Sequence, residues 1–151
     1  VVQTAENDLR AVDFVPFHAV NDAPMAMTAH VIYSAFDAAL PATLSPLVID
    51  QVIRGEIGFD GLLMTDDLSM KALSGSFEER GRAAIAAGCD ILLHCNGDMA
   101  EMQAVAATAP VLQGRAQELA AAATALLQRS SGFDRSSQEK RFAELLKPVV
   151  A

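Results

Sequence analysis

Two adjacent carboxylates, Asp66 and Asp67, follow the apolar run Leu62-Leu63-Met64 after a single residue, Thr65. A carboxylate at the mouth of such a run is only partly hydrated, which costs free energy unless the charge is satisfied or used. Kept ionised, it can attack an electrophilic carbon, steady a developing cation or accept a proton. Successive strand residues point to opposite faces, so only one of the pair can aim straight into a central site. Spacing alone leaves a structural alternative open, with Asp67 capping the turn through Leu68-Ser69 and Asp66 held by a hydrogen bond.

Other polar residues gather at similar positions. His30 ends the run Met27-Thr28-Ala29-His30 and could line the same pocket or be a satisfied strand-end histidine. His94 stands one residue before the end of its own apolar run and can point away from the site. Asn96, two residues on, is the better candidate for a polar pocket contact. His18, after Pro16-Phe17, reads as a surface or packing residue. None of these spacings resembles a zinc site, which wants His or Cys in close pairs with further ligands, and magnesium would need carboxylates converging from further strands. No metal or cofactor is expected. Gly58, Gly61 and Gly97 look like turn residues and form no phosphate cradle. Met25, Met27 and Met64 suit core gap-filling, while Met70, beyond the carboxylates, could touch a substrate.

The elements that must hold these residues alternate short apolar runs with amphipathic helices, which points to an α/β fold with about three parallel strands. The strands are expected at 24–32, buried on both faces, at 61–65 and at 90–95. Residues 5–20 start helically, with Leu9, Val12 and Phe17 on an apolar stripe and Pro16 as a break. Ser45-Pro46 opens a helix whose Ile49, Val52, Ile53 and Ile57 share a face, with Gly58 as its stop. Ser76 to Glu79 has capping-box spacing before a helix ending at Gly88. Asp98 opens another helix that Pro110 interrupts. An Ala-rich helix over about 111–129, a loop at 130–136 and a last helix at about 137–147 complete the chain. In such folds the chemistry gathers at the C-terminal ends of the strands. Those ends are His30, Thr65-Asp66-Asp67 and His94-Cys95-Asn96.

Composition sets the outer limits. The 151 residues are 52% hydrophobic and 20% charged, enough for a real core. A whole (β/α)₈ barrel takes roughly 250 residues. The net charge of −8, with no Lys/Arg cluster, argues against a nucleic-acid partner. No apolar run approaches the roughly 20 residues of a membrane span, and no signal peptide is recognisable. Cys89 and Cys95, six residues apart on one expected strand, would lie roughly 20 Å apart and cannot pair with each other. Free thiols favour a reducing compartment. The opening Val1-Val2, without Met, suggests that something upstream has been removed.

APMAMTAHVIY (23–33), IGFDGLLMTDDLSMKAL (57–73) and AGCDILLHCNG (87–97), with VDFVPF (12–17), resemble the bacterial β-N-acetylglucosaminidases of glycoside hydrolase family 3. The resemblance covers most of residues 1–100. It implies the C-terminal part of a truncated (β/α)₈ barrel: one partial domain over 1–151, holding the last three strand–helix units and C-terminal helices over about 98–147. It implies cytoplasmic cell-wall recycling, with a small carbohydrate partner, a GlcNAc-containing muropeptide. It also implies that Asp66, the first Asp of the family's TDD motif, is the nucleophile of a retaining mechanism. Asp67 becomes a supporting residue, and His30, Asp67 and Asn96 the candidate substrate-binding set.

The departure from the family is as informative. Its acid/base histidine lies on a Lys-His-Phe-Pro-Gly-His-Gly…Asp-Ser-His type of stretch that these 151 residues do not contain. The upstream sugar-gripping Asp, Arg and Lys-His are absent as well. The missing N-terminal half of the same barrel is therefore an expected partner, and the chain alone is expected to be inactive. A third reading, a barrel aldolase or isomerase with Asp66 as base, would want a Gly-rich or basic phosphate site where TDDLSM and HCNGD are acidic.

Overall fold

The computed structural model describes residues 1–127 and 134–146. Three parallel strands form one sheet in the order β1 (Met25–Met27), β2 (Leu62–Asp67) and β3 (Ile91–Leu93). Parallel neighbours need crossovers, and both are helical: α1 (Val48–Glu56) precedes β2 and α2 (Phe77–Ala87) precedes β3. After β3 come α3 (Met99–Ala106), α4 (Gly114–Leu127) and α5 (Arg135–Leu146). The expected loop at 130–136 and the last residues of the two final expected helices lie partly outside the described residues.

The helix signals act as their chemistry dictates. At the start of α1, Ser45 Oγ accepts the Val48 N–H at 3.2 Å and donates to Asp37 Oδ2 at 2.6 Å. Its turns are wide, the Ile57 N–H reaching back five residues to the Val52 carbonyl. The apolar stripe survives, with Ile49 and Val52 buried and Ile53 and Ile57 packed beside them. Before α2, Ser76 Oγ accepts from the Glu79 N–H while the Glu79 carboxylate accepts from the Ser76 N–H. Such a cap is worth about 1 kcal/mol. α2 stops at Gly88, whose φ of +112° a side chain would strain. Asp98 caps α3 through the Ala100 and Glu101 amides.

Leu63 of β2, Ile49 of α1 and Ala84 and Ala87 of α2 enclose the main core with Phe59 and Cys89. The helix layer therefore lies on the Leu63 side of the sheet. At the other end of β2, Arg115 of α4 donates to the Asp60 carbonyl at 3.0 Å, so α4 crosses near the N-terminal ends of the strands.

Three expectations change. The run 24–32 pairs only over Met25–Met27, with one further bond from the Thr28 N–H to the Met64 carbonyl. Beyond it the chain leaves β2, and its Ala29 and Val31 carbonyls accept the Thr43 and Ala42 amides. Nor is β1 buried on both faces: Met25 and Met27 are 40% and 51% exposed. Residues 5–20 form short turns, Glu6–Asp8, Leu9–Asp13 and Val15–His18, with Pro16 opening the last. Leu9 and Phe14 are buried there, while Val12 and Phe17 are exposed. The Phe14 N–H bonds to the Leu9 carbonyl five residues back, and that wide step replaces the 3.6-residue stripe. Finally, β2 runs two residues past Thr65 and β3 is shorter than 90–95. The carboxylate pair thus ends the strand instead of following it.

Candidate active site

Along β2, Leu63 and Thr65 are buried while Met64 and Asp66 are half-buried. The period-two geometry of a strand puts Asp66 on the face of Leu62 and Met64 and, through the register, of Met25 and Met27; on that face Leu62 is buried and the residues toward the strand end are half-buried. This is the face opposite α1 and α2. Between Met64 and Asp67, β2 advances three residues while β3 advances two, from Ile91 to Leu93. Thr65 Oγ1 takes the Leu93 N–H at 2.9 Å at this irregularity. Bulges of this kind re-aim the side chains at a strand end.

The two carboxylates have different surroundings. Asp67 Oδ1 accepts the Ser69 N–H at 2.9 Å and the Cys95 N–H at 3.1 Å, and Oδ2 accepts the Ser69 hydroxyl at 2.5 Å. Burial works against its charge, but these donors and nearby His94 outweigh it and hold the carboxyl below its usual 3.8. Asp67 thereby ties the loop after β2 to the loop after β3. Among the described residues Asp66 has one hydrogen-bond partner, the Asp67 N–H, at 2.8 Å from Oδ1. Among the described residues its Oδ2 has no protein donor. One carboxylate is structural and the other is presented.

His30 lies between two elements. Its Nε2 is 3.0 Å from the Asp67 carbonyl and its Nδ1 is 2.8 Å from Thr43 Oγ1. A carbonyl only accepts, so Nε2 carries the proton. The Thr43 hydroxyl is also 2.8 Å from Thr28 Oγ1, both threonines being buried. Both ring nitrogens are engaged within the protein, the satisfied alternative for this residue. Asn96 is exposed in the loop after β3, its amide donating to the Glu101 carboxylate and its Oδ1 accepting the Asp98 N–H at 2.8 Å. His94 Nε2 lies 3.1 Å from the same Glu101 carboxylate, with its ring edge-on to Phe77. His18 is exposed. Met70 is exposed beyond the pair.

Sequence reasoning passed over Arg80 and Thr43. The Arg80 guanidinium donates to the Leu68 carbonyl at 2.7 Å, to Met70 at 3.3 Å and to Gly75 at 3.2 Å, strapping the loop after Asp67 onto α2. Neither residue sits in a spacing that would single it out, because both act on backbone or side chains distant in sequence. An apolar groove of about 360 Å³, bounded by Phe14, Met25, Met27, Val52 and Leu63, does not include Asp66. Among the described residues no cluster of His, Cys, Asp or Glu could hold a metal ion. No helix among them is long and apolar enough to cross a membrane. Buried Cys89 and exposed Cys95 are both free thiols.

Residues 1–128 match the glycosyl hydrolase family 3 N-terminal domain. The chain belongs to glycosyl hydrolase family 3. A β-hexosaminidase of Alkalilimnicola ehrlichii is 48% identical to it over 96 residues, 61% of this chain and 27% of that protein. A β-hexosaminidase of Tolumonas auensis is 37% identical over 130 residues, 83% of this chain and 36% of that protein. The crystal structure of native NagZ from Neisseria gonorrhoeae matches with a TM-score of 0.66 at 29% identity, over 87% of this chain and 40% of that one. The family 3 chain thus spans about a quarter to two-fifths of the length of these relatives. Its three parallel strands with helical crossovers are part of a (β/α)₈ barrel. The aldolase or isomerase reading loses its ground against relatives named as glycosidases.

Proposed function

We propose that the family 3 chain supplies the nucleophile of a retaining exo-β-N-acetylglucosaminidase, with Asp66 in that role. The supporting observation is the unequal carboxylate pair at the end of β2: among the described residues Asp67 has three protein donors, while Asp66 Oδ2 has none. Asp66 attacks the anomeric carbon of a terminal β-linked GlcNAc as the bond to the leaving oxygen breaks and that oxygen takes a proton. Water then hydrolyses the glycosyl-enzyme. Asp67 holds the loop, and Asn96, exposed in the loop after β3, is the proposed polar contact to the sugar. The substrate class is a peptidoglycan-derived muropeptide in the cytoplasm, a location that the two free thiols support.

His30 is bonded at both ring nitrogens, the His94 side chain is buried with Nε2 on Glu101, and the acid/base stretch that the resemblance calls for is not among these 151 residues. The proton donor in this reading lies outside them. General acid catalysis contributes about 10²–10⁴-fold in rate, and the purified chain alone should hydrolyse nothing measurable. The complete enzyme, given an aryl β-N-acetylglucosaminide in an NMR tube, should release the β-anomer of the sugar first. Release of the α-anomer first would mean inversion and overturn the nucleophile assignment.

A further inference from the structure

Asp66 is aimed through its neighbour, and its neighbour is anchored from the preceding strand unit. The Asp67 N–H donates to Asp66 Oδ1 at 2.8 Å, and the Asp67 carbonyl accepts from His30 Nε2 at 3.0 Å. His30 is fixed in turn at Nδ1, 2.8 Å from Thr43 Oγ1, which lies 2.8 Å from Thr28 Oγ1. Thr43 is fully buried and Thr28 nearly so, so the far end of this chain is held in packed protein. The run Thr28–Thr43–His30–Asp67 thus connects the end of β1 and the 42–44 turn to the backbone that presents the carboxylate.

We propose that His30 is a positioning residue, which sets the direction of the Asp66 carboxylate by pinning the Asp67 peptide and makes no contact with the sugar. The inference rests on the nucleophile reading of Asp66. The bulge between Met64 and Asp67 makes the anchor necessary. A strand end that gains a residue on its β3 side has lost regular ladder bonds there. The His30 bond supplies a fixed point on the β1 side. The Ser69 and Cys95 amides and the Ser69 hydroxyl fix the Asp67 side chain on the other. With its carbonyl and carboxylate both held, the Asp67 Cα is fixed in place, and the N–H it carries at the end of β2 meets Asp66 Oδ1.

The two ring nitrogens can be tested separately, because a glutamine amide reaches the position of Nε2 and an asparagine amide that of Nδ1. In the complete enzyme His30→Asn should lower kcat by about 10- to 100-fold, the scale of a small misplacement of a reacting group, with KM little changed. His30→Gln, which can still donate to the Asp67 carbonyl, should recover most of that loss. Thr43→Val should lower kcat in the same manner and Thr43→Ser restore it, which keeps the test valid if His30→Asn does not fold. Equal rates for the Asn and Gln variants, beside an inactive Asp66→Ala, would overturn the positioning role alone. A rise in KM with kcat intact would do the same, because it would show His30 holding the sugar. Full turnover in Asp66→Ala would overturn both this inference and the nucleophile reading.

Discussion

Exchanging the two carboxylates one at a time separates the group that reacts from the group that supports. Asp67→Ala removes three hydrogen bonds to a charged acceptor and leaves two amides and a hydroxyl without it. Bonds to charged groups are worth about 1.5–3 kcal/mol each when buried. Asp67 is half-buried, so water can rehydrate the freed donors, and the combined loss reduces to about 2–4 kcal/mol. Asp67→Asn keeps Oδ1 for both amides and turns an NH₂ toward the Ser69 hydroxyl, which can accept it; about 1 kcal/mol is lost. Asp66→Asn keeps the bond from the Asp67 N–H through Oδ1 and should alter stability by less than about 0.5 kcal/mol. It removes the nucleophile, and kcat should fall on the order of 10⁴-fold or more. Urea unfolding and steady-state kinetics on an aryl β-N-acetylglucosaminide, both in the complete enzyme, read the two effects. The expected pattern is crossed: Asp66→Asn stable and inactive, Asp67→Ala destabilised and partly active. An Asp66→Asn enzyme that loses stability yet keeps its turnover would refute the division of roles.

Acid should act through the same support. The Asp67 carboxyl is held below 3.8 in the fold, so its contribution is complete above that value and disappears as pH falls through the folded pKa. The stability gap between wild type and Asp67→Asn should therefore be constant from pH 5 to 7 and close at lower pH; a gap that widens in acid would contradict it. Burial, followed by the Asp90 charge, pushes the Cys89 thiol up to about 12, while Cys95 is exposed. A disulfide reagent at pH 8 should modify Cys95 in the native protein and reach Cys89 only after unfolding; rapid native reaction of both would contradict the packing. A Cβ on Gly81 would clash with Thr108 Oγ1 and lie 3.3 Å from Leu92 Cδ1. Gly81→Ala should destabilise by about 1–3 kcal/mol, with part recovered in Gly81→Ala/Thr108→Ala, and an unchanged unfolding midpoint would show that α2 and the turn after α3 do not approach so closely.

The features legible in the sequence are those with local causes. Ser76 and Glu79 meet across one helical turn, Gly88 sits where a left-handed residue is needed, and Leu62-Leu63-Met64 runs into Asp66 along one strand. Each can be read from neighbours in the chain. The apolar stripe of residues 5–20 failed because the Leu9-to-Phe14 step is five residues, a period the 3.6-residue pattern does not contain. The extent of β1 failed because Ala29 and Val31 bond to residues 43 and 42, a competition that no local pattern records. The Asp66-Asp67 pair was visible as chemistry, and spacing already offered Asp67 as the cap of the turn through Ser69, but the full division of labour was not visible. That division depends on Ser69, on Cys95 from another strand end and on His30 from a third. His30 and Asn96 were found as polar residues at strand ends, and their partners Thr43 and Glu101 settled how their hydrogen bonds are used.

The most direct test of the account is chemical trapping. The complete enzyme, inactivated with a fluorinated N-acetylglucosaminyl donor that slows release of the covalent intermediate, is digested and its labelled peptide fragmented by mass spectrometry. The sugar should be found on Asp66, with none on Asp67. Label on any other residue, or inactivation without a covalent adduct, would contradict Asp66 as the nucleophile.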